Sequence, residues 1–290
     1  MGNYEALQKA ERERRHKVAG ENAAPVDALN WDTTPQTAPS SSEKVGLLAR
    51  LRAPLRAPKE KRTKLPVSVP DANEVNKRRI AILRPESYIS EQFRMLRGRI
   101  DSLAAQRPIR TVGMTSANPG EGKSTAAVNL AVVESLGVGQ RILLVDCDLR
   151  RPTVHRSLGL SPDVGLAEVL LDRASLEQAV TRAEGTNLDA LVVRAQPDNP
   201  SELLASERMK TLLDEMVASY DRIILDTPAT LGLPDSKIVS EICDGIVVVV
   251  RADITPREEV GAVLDILDRR KVLGMILNGA DISRESYGYY

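Results

Sequence analysis

The fold turns on Thr115-Ser116-Ala117-Asn118-Pro119-Gly120-Glu121-Gly122-Lys123-Ser124-Thr125. The run before it, Ile109–Met114, reads as a strand, and Lys123–Ser135 after it has the pattern of a helix. Strand, glycine-rich loop and helix in this order are the setting of a phosphate-binding loop. Loop amides and the first turn of the helix offer partial positive charge to an anion. Gly120 and Gly122 let the backbone approach it closely. Lys123 is placed to bridge the β- and γ-phosphates of a nucleotide, and the Ser124 hydroxyl to ligate Mg²⁺. One position departs from the strict pattern: Ala117 stands where the first glycine belongs.

Two later strand ends carry acids. Ile142-Leu143-Leu144-Val145-Asp146-Cys147-Asp148-Leu149-Arg150 sets two carboxylates at i and i+2, an arrangement that faces one side of a strand. In open parallel sheets ligands sit at the carboxyl ends of strands. One of the two is therefore expected to hold Mg²⁺ and the other to polarise a nucleophile; Asp146 is assigned the first role and Asp148 the second. Arg150 is expected to contact phosphate or to position the acids. A third acid, Asp226, closes Ile223-Ile224-Leu225-Asp226-Thr227-Pro228, the place from which an aspartate orients Mg²⁺ through its water. The catalytic set is then Lys123, Asp146, Asp148 and Asp226. The metal set is Ser124, Asp146 and Asp226. The nucleotide-binding loop is Asn118, Pro119, Gly120, Glu121, Gly122, Lys123, Ser124 and Thr125.

Around these motifs strands and helices alternate. Strands are predicted at Ile109–Met114, Arg141–Asp146, Leu188–Val193, Arg222–Asp226, Gly245–Val250 and Val272–Leu277. Helices are predicted at Ser87–Leu103, Lys123–Ser135, Leu166–Leu171, Leu176–Arg182, Ser206–Ser219, Ser236–Cys243 and Pro256–Asp268. Runs such as Ile246-Val247-Val248-Val249-Val250 fit strands covered on both faces. The expectation is an α/β P-loop NTPase with a mostly parallel central sheet flanked by helices.

The rest of the 290 residues sets the context. Charge balances at 40 basic against 40 acidic residues, which argues against a nucleic-acid binder. Residues 1–110 hold 22 basic and 13 acidic residues, a surplus of 22 − 13 = 9, so a basic front precedes an acidic body. Residues 1–19 read as a charged helix, 20–79 as a proline-rich basic linker, 80–280 as the catalytic domain and 281–290 as a flexible tail. Within the linker, residues 44–64 interleave Arg50, Arg52, Arg56, Lys59, Lys61 and Arg62 with leucines. That composition suits a solvated linker or contact with an anionic membrane surface. No apolar run reaches the roughly 18–20 residues that span a bilayer. Cys147 and Cys243 lie in apolar runs and read as buried thiols of a reducing compartment. A soluble, cytoplasmic protein is expected.

The three motifs resemble the Walker A, A′ and B signatures of the bacterial tyrosine kinases of capsule and exopolysaccharide systems. That family shares the deviant P-loop ATPase fold of MinD and ParA proteins. The resemblance spans residues 80–290. It implies ATP and Mg²⁺ as cofactors and autophosphorylation of tyrosines. Tyr287, Tyr289 and Tyr290, three of six tyrosines, are the implied phosphoacceptors. Asn199-Pro200-Ser201-Glu202-Leu203-Leu204 is similar to the family's helix-opening stretch. Glu91, Arg94 and Arg97 match its Glu-x-x-Arg-x-x-Arg helix, which implies ring-like homo-oligomers. The stretch Tyr4–Arg12 resembles the soluble subgroup from exosortase-linked exopolysaccharide loci. Such members work with a membrane-bound, co-polymerase-type activator, which implies recruitment to the inner face of the membrane. Asn118 occupies the position of the signature lysine of the MinD-like ATPases, five residues before Lys123. A MinD/ParA-like ATPase and a nucleotide-dependent regulatory scaffold without kinase activity are the alternative readings.

Overall fold

A computed structural model describes residues 80–280. The expected helix at 1–19, the linker 20–79 with its basic stretch 44–64, and the tail 281–290 with Tyr287, Tyr289 and Tyr290 lie outside the described residues.

The described residues open with α1 (Ile80–Leu83) and α2 (Tyr88–Ala104). Ser87 starts α2, its hydroxyl accepting the Ser90 N–H at 3.2 Å. Then follow β1 (Thr111–Ser116), α3 (Lys123–Ser135), β2 (Ile142–Asp146), α4 (Val154–Leu158), α5 (Leu166–Leu170), α6 (Leu176–Ala179), β3 (Val180–Arg182) and β4 (Leu188–Leu191). The last third comprises α7 (Pro200–Leu204), α8 (Glu207–Ser219), β5 (Arg222–Asp226), α9 (Asp235–Ile242), β6 (Gly245–Arg251), α10 (Arg257–Ile266) and β7 (Val272–Asn278).

These strands form one sheet in the order β3-β4-β2-β5-β1-β6-β7. Every pairing is parallel except β3 with β4. The expected parallel α/β sheet is thus observed, with one antiparallel edge. Leu176–Arg182 was expected to be a single helix; only Leu176–Ala179 is helical and Val180–Arg182 pairs with β4. β-branched Val180 and Thr181 favour the pleat, and Arg182 pairs across the strands with Asp189 at 2.8 Å. The short helix α4 follows the second acid motif and has no counterpart in the sequence reading.

Both faces of the sheet are packed with aliphatic side chains. One face holds Val112, Met114 and Leu144 against the buried flank of α3, with Phe93 and Leu96 of α2 beyond. The other holds Leu143, Val145, Ile223 and Leu225 against Leu212, Met216, Val239 and Val263. Strands covered on two sides explain the continuous apolar runs. Buried Asn129 ties α1 to α3, its Oδ1 accepting the Ala81 N–H at 2.9 Å.

Charged links join α2 to the far end of α3. Arg97 donates to the Val133 carbonyl at 2.8 Å, capping the helix that begins with the phosphate loop. Arg222 bridges Asp101 at 2.8 Å and buried Glu134 at 3.2 Å. Burial pushes the Glu134 carboxyl up to about 7, with Arg222 opposing the shift.

Candidate active site

The strand order decides what meets at the site. β5 lies between β1 and β2, and register sets Met114 beside Asp226 and Asp226 beside Asp146. The loop after β1 therefore faces the two acid-bearing strand ends. The loop after β5 closes over its start. Thr230 and Leu231 donate N–H bonds to the Ser116 and Ala117 carbonyls at 2.8 and 3.2 Å. The Thr115 hydroxyl joins Thr230 and Ser236 at 2.9 Å each.

Within the loop, Gly120 and Gly122 have φ of 88° and 101°, values that glycine adopts without strain. Gly122 caps α3, whose first turn carries neither a side-chain cap nor an acid. Its amides are thus left for an anion. From the other side, Asn278 at the end of β7 donates to the Glu121 carbonyl at 2.8 Å. The Glu121 carboxylate accepts the Asn118 N–H at 3.1 Å and the Thr255 hydroxyl at 2.6 Å. Asn118 turns its amide to Glu121 and Glu259. A Cβ on Gly122 would fall 2.1 Å from Asn278 Nδ2. Gly122→Ala therefore combines a left-handed backbone with a steric overlap, about 1–3 kcal/mol of strain. We expect its affinity for ADP to drop at least about tenfold; calorimetric titration reads this, and unchanged affinity would mean the loop adjusts freely.

Lys123 lies among the three acids. Its Nζ is 3.0 Å from Asp148 Oδ2, 3.8 Å from Asp226 Oδ1 and 3.2 Å from the Ser124 hydroxyl. Burial works against its charge, but Asp226 and Asp148 outweigh it and raise the ammonium's pKa. Lys123 is a cation throughout the physiological range.

The acids have different surroundings. Asp146 turns back into its own loop: Oδ1 accepts the Asp148 N–H, and Oδ2 the Thr153 and Val154 N–H groups, each at 3.1 Å. Burial first, then Asp226, push its carboxyl well above the carboxylate range. The i, i+2 spacing does not put Asp146 and Asp148 side by side on a strand, because β2 ends at Asp146. Asp148 reaches Lys123 from the following loop, with Oδ1 accepting the Arg151 N–H at 2.9 Å. Asp226 is fully buried, and neither of its oxygens has a hydrogen-bonding partner at proper geometry. Burial raises its pKa while nearby Lys123 and the Ser124 hydroxyl oppose the rise.

An orphaned buried carboxylate beside a serine hydroxyl fits a divalent cation. Among the described residues no three His, Cys, Asp or Glu side chains converge on one ion. Mg²⁺ is commonly held by one or two carboxylates together with substrate phosphates.

Arg150 does not point to the phosphate loop. Its Nε donates to Asp235 Oδ2 at 2.6 Å and its Nη2 to the Ser201 hydroxyl at 2.8 Å. Sequence reasoning missed Asp235, Asn278, Glu259 and Thr255, which no local spacing links to the loop. Glu91 and Arg94 pair within α2, Arg94 also donates to the Pro85 carbonyl at 2.9 Å, and Arg97 is turned onto α3. No helix among the described residues is long and apolar enough to cross a membrane.

A glycine-rich loop whose buried lysine faces acids from the neighbouring strand ends defines a P-loop nucleotide-binding protein. Comparison with known proteins narrows the class. The AAA domain family matches residues 109–271. Tyrosine-protein kinase YwqD of Bacillus subtilis is 44% identical over 214 residues, 73% of this chain and 90% of the relative. Succinoglycan biosynthesis transport protein ExoP of Rhizobium meliloti is 33% identical over 210 residues, 71% of this chain but 27% of that longer relative. The kinase domain of Escherichia coli tyrosine kinase ETK superposes with a TM-score of 0.66 at 30% identity, covering 72% of this chain and 82% of that one. The chain belongs to the bacterial tyrosine-protein kinases.

Proposed function

We propose that the protein is an ATP-dependent tyrosine autokinase that phosphorylates Tyr287, Tyr289 and Tyr290 of a neighbouring subunit and thereby regulates exopolysaccharide or capsule synthesis or export. The observation that carries this reading is the Lys123 ammonium held between Asp148 and Asp226 at the mouth of the phosphate loop. Family membership supports it, and similarity to ExoP, a succinoglycan biosynthesis transport protein, supports the polysaccharide setting.

The chemistry follows from these groups. Loop amides of Gly120–Thr125, at the start of α3, bind the phosphates, while Asn118 and Pro119 shape the loop, the Asn118 N–H being taken by Glu121. Lys123 stabilises charge on the transferred phosphoryl group, and positioning with electrostatics is most of what phosphoryl transfer requires. Phosphate binding draws Lys123 from Asp148, leaving that carboxylate to orient or deprotonate the incoming tyrosine, whose ordinary pKa is near 10. Ser124 and Asp226 would hold Mg²⁺, with Asp146 contributing through the lone pair left on Oδ1. When bound, Mg²⁺ would offset charge on the nucleotide phosphates. Asp146 also keeps the Asp148 loop in shape. Asn118, where the MinD-like ATPases carry lysine, favours the kinase over the positioning ATPase.

Reach permits transfer between subunits. Nine residues beyond Asn278 span at most about 30 Å, enough for a neighbour's site if α2 packs subunits head to tail into a closed ring. Each phosphate adds roughly −1.5 to −2 charge, so the acidic pocket expels the product tail and loosens the ring. We further propose a membrane-bound co-polymerase-type activator, a cytoplasmic location with recruitment to the membrane, and residues 44–64 as an anionic-surface contact.

Two tests follow. Mixing a Lys123→Met chain with one lacking Tyr287, Tyr289 and Tyr290 should label the tail of the Lys123→Met chain; an unlabelled tail refutes transfer in trans. Arg94→Ala with Arg97→Ala should dissolve the oligomer in mass photometry. The double variant should also lose about 1 kcal/mol of stability, because Arg97 caps α3. An unchanged oligomer mass removes α2 from the interface.

A further inference from the structure

We propose that Asp235 and Ser201 are positioning residues for the transfer: they fix the Arg150 guanidinium and, through it, the loop that presents Asp148. The inference rests on the kinase reading and extends it to residues outside the three motifs.

The geometry is that of a built clamp. Arg150 Nε donates to Asp235 Oδ2 at 2.6 Å, and Nη2 reaches both the Ser201 hydroxyl at 2.8 Å and Asp235 Oδ1 at 3.4 Å. Ser201 donates its own proton to Asp235 Oδ1. The triangle is closed, so each member orients the other two. The Asp235 side chain is 0% exposed and Arg150 37%. A fully buried carboxylate needs its charge matched, and Arg150 is the cation that does so. The planar fork matters, because a lysine could not satisfy the carboxylate edge and the hydroxyl together.

The three residues come from three segments. Arg150 lies in the loop after β2, Ser201 in the first turn of α7 and Asp235 at the start of α9, which the loop after β5 leads into. The β2 loop thus has three anchors. Asp146 holds it from inside through three amides. Lys123 holds Asp148. The Arg150 clamp is the outer anchor, and Gln196 adds a bond to the Arg150 carbonyl. When phosphate draws Lys123 away, Asp148 loses one anchor. The clamp then keeps the carboxylate in line with the tyrosine. Displacement by an ångström in such a group can cost up to about 100-fold in rate.

The test uses the full-length protein and its variants Arg150→Ala, Asp235→Asn and the double. Tail phosphorylation is followed against ATP concentration. Cys147, buried between Asp146 and Asp148, supplies a reading that needs no catalysis. In a Cys243→Ala background it is the only thiol, since the chain has two cysteines. Its labelling by a maleimide reports opening of the loop.

The expected result is a kcat lower by about tenfold or more in each single variant, a KM for ATP within about twofold, and a double variant no slower than the slower single. Cys147 should label about tenfold faster in both single variants. A role in overall stability alone would lower the thermal midpoint without this split of kcat from KM. Unchanged kcat with unchanged labelling overturns the inference, as do losses that multiply in the double variant. If wild-type protein binds nucleotide but leaves its tail unmodified, the kinase reading falls, and Cys147 labelling alone decides whether the clamp orders the loop.

Discussion

Lys123→Met should slow tail phosphorylation about 100- to 1,000-fold, the cost of removing one preorganised group that stabilises transition-state charge. Two losses combine. The transferred phosphoryl group loses its cation, and the pocket keeps three acids, Asp146, Asp148 and Asp226, without the ammonium that lies 3.0 Å from one and 3.8 Å from another. The uncompensated acids then repel nucleotide phosphates, so affinity for Mg·ATP should weaken as well. Time courses of phosphotyrosine by mass spectrometry, with affinity measured separately, divide the two effects. Phosphorylation within about tenfold of wild type would take Lys123 out of the catalytic role.

Asp226→Asn should act with opposite signs on activity and on stability. Buried and without a hydrogen-bonding partner, Asp226 has a carboxyl pushed above its ordinary range by burial, against the pull of Lys123. Such a group is more easily protonated folded than unfolded. Its contribution favours folding below the unfolded pKa and is lost as pH rises through the folded one. At neutral pH the ionised group is a net cost. Asparagine keeps the shape and removes the charge. The nucleotide-free variant should therefore melt about 2–4 °C higher at pH 7, corresponding to roughly 1 kcal/mol. The gain should shrink toward about pH 4, where the wild-type group protonates even when unfolded. Activity should fall about 100-fold, because the carboxylate proposed to serve Mg²⁺ is gone. A variant less stable than wild type at pH 7 would mean that attraction to the Lys123 ammonium, 3.8 Å away, outweighs the cost of burying the aspartate.

Much of the site was legible because each motif is local. A glycine-rich loop between strand and helix, and apolar runs ending in aspartate, announce strand ends that carry chemistry. Their adjacency was not legible. Only the insertion of β5 between β1 and β2 brings Asp226 into register with both Met114 and Asp146. The difference between Asp146 and Asp148 was hidden for a backbone reason. The strand stops at Asp146, and the Cys147 N–H bonds to the Asp226 carbonyl at 2.8 Å, so the period of two no longer applies. Arg150 was visible as a charge beside the acids. Its partners lie 51 and 85 residues away, beyond any spacing argument. Val180–Arg182 looked helical because it continued the apolar spacing of Leu176 and Ala179, while hairpin pairing with β4 overrode it.

The central claim is that this pocket moves phosphate from ATP onto tyrosines of the same kind of chain. Intact-mass and tail-peptide analysis of the purified protein tests it, after incubation with Mg·ATP and a cytoplasmic segment of a co-polymerase-type activator. Additions of one, two and three phosphates, mapped to Tyr287, Tyr289 and Tyr290 and absent from the Lys123→Met protein, are predicted. Consumption of ATP with an unmodified tail would contradict the claim and leave a nucleotide switch without kinase activity.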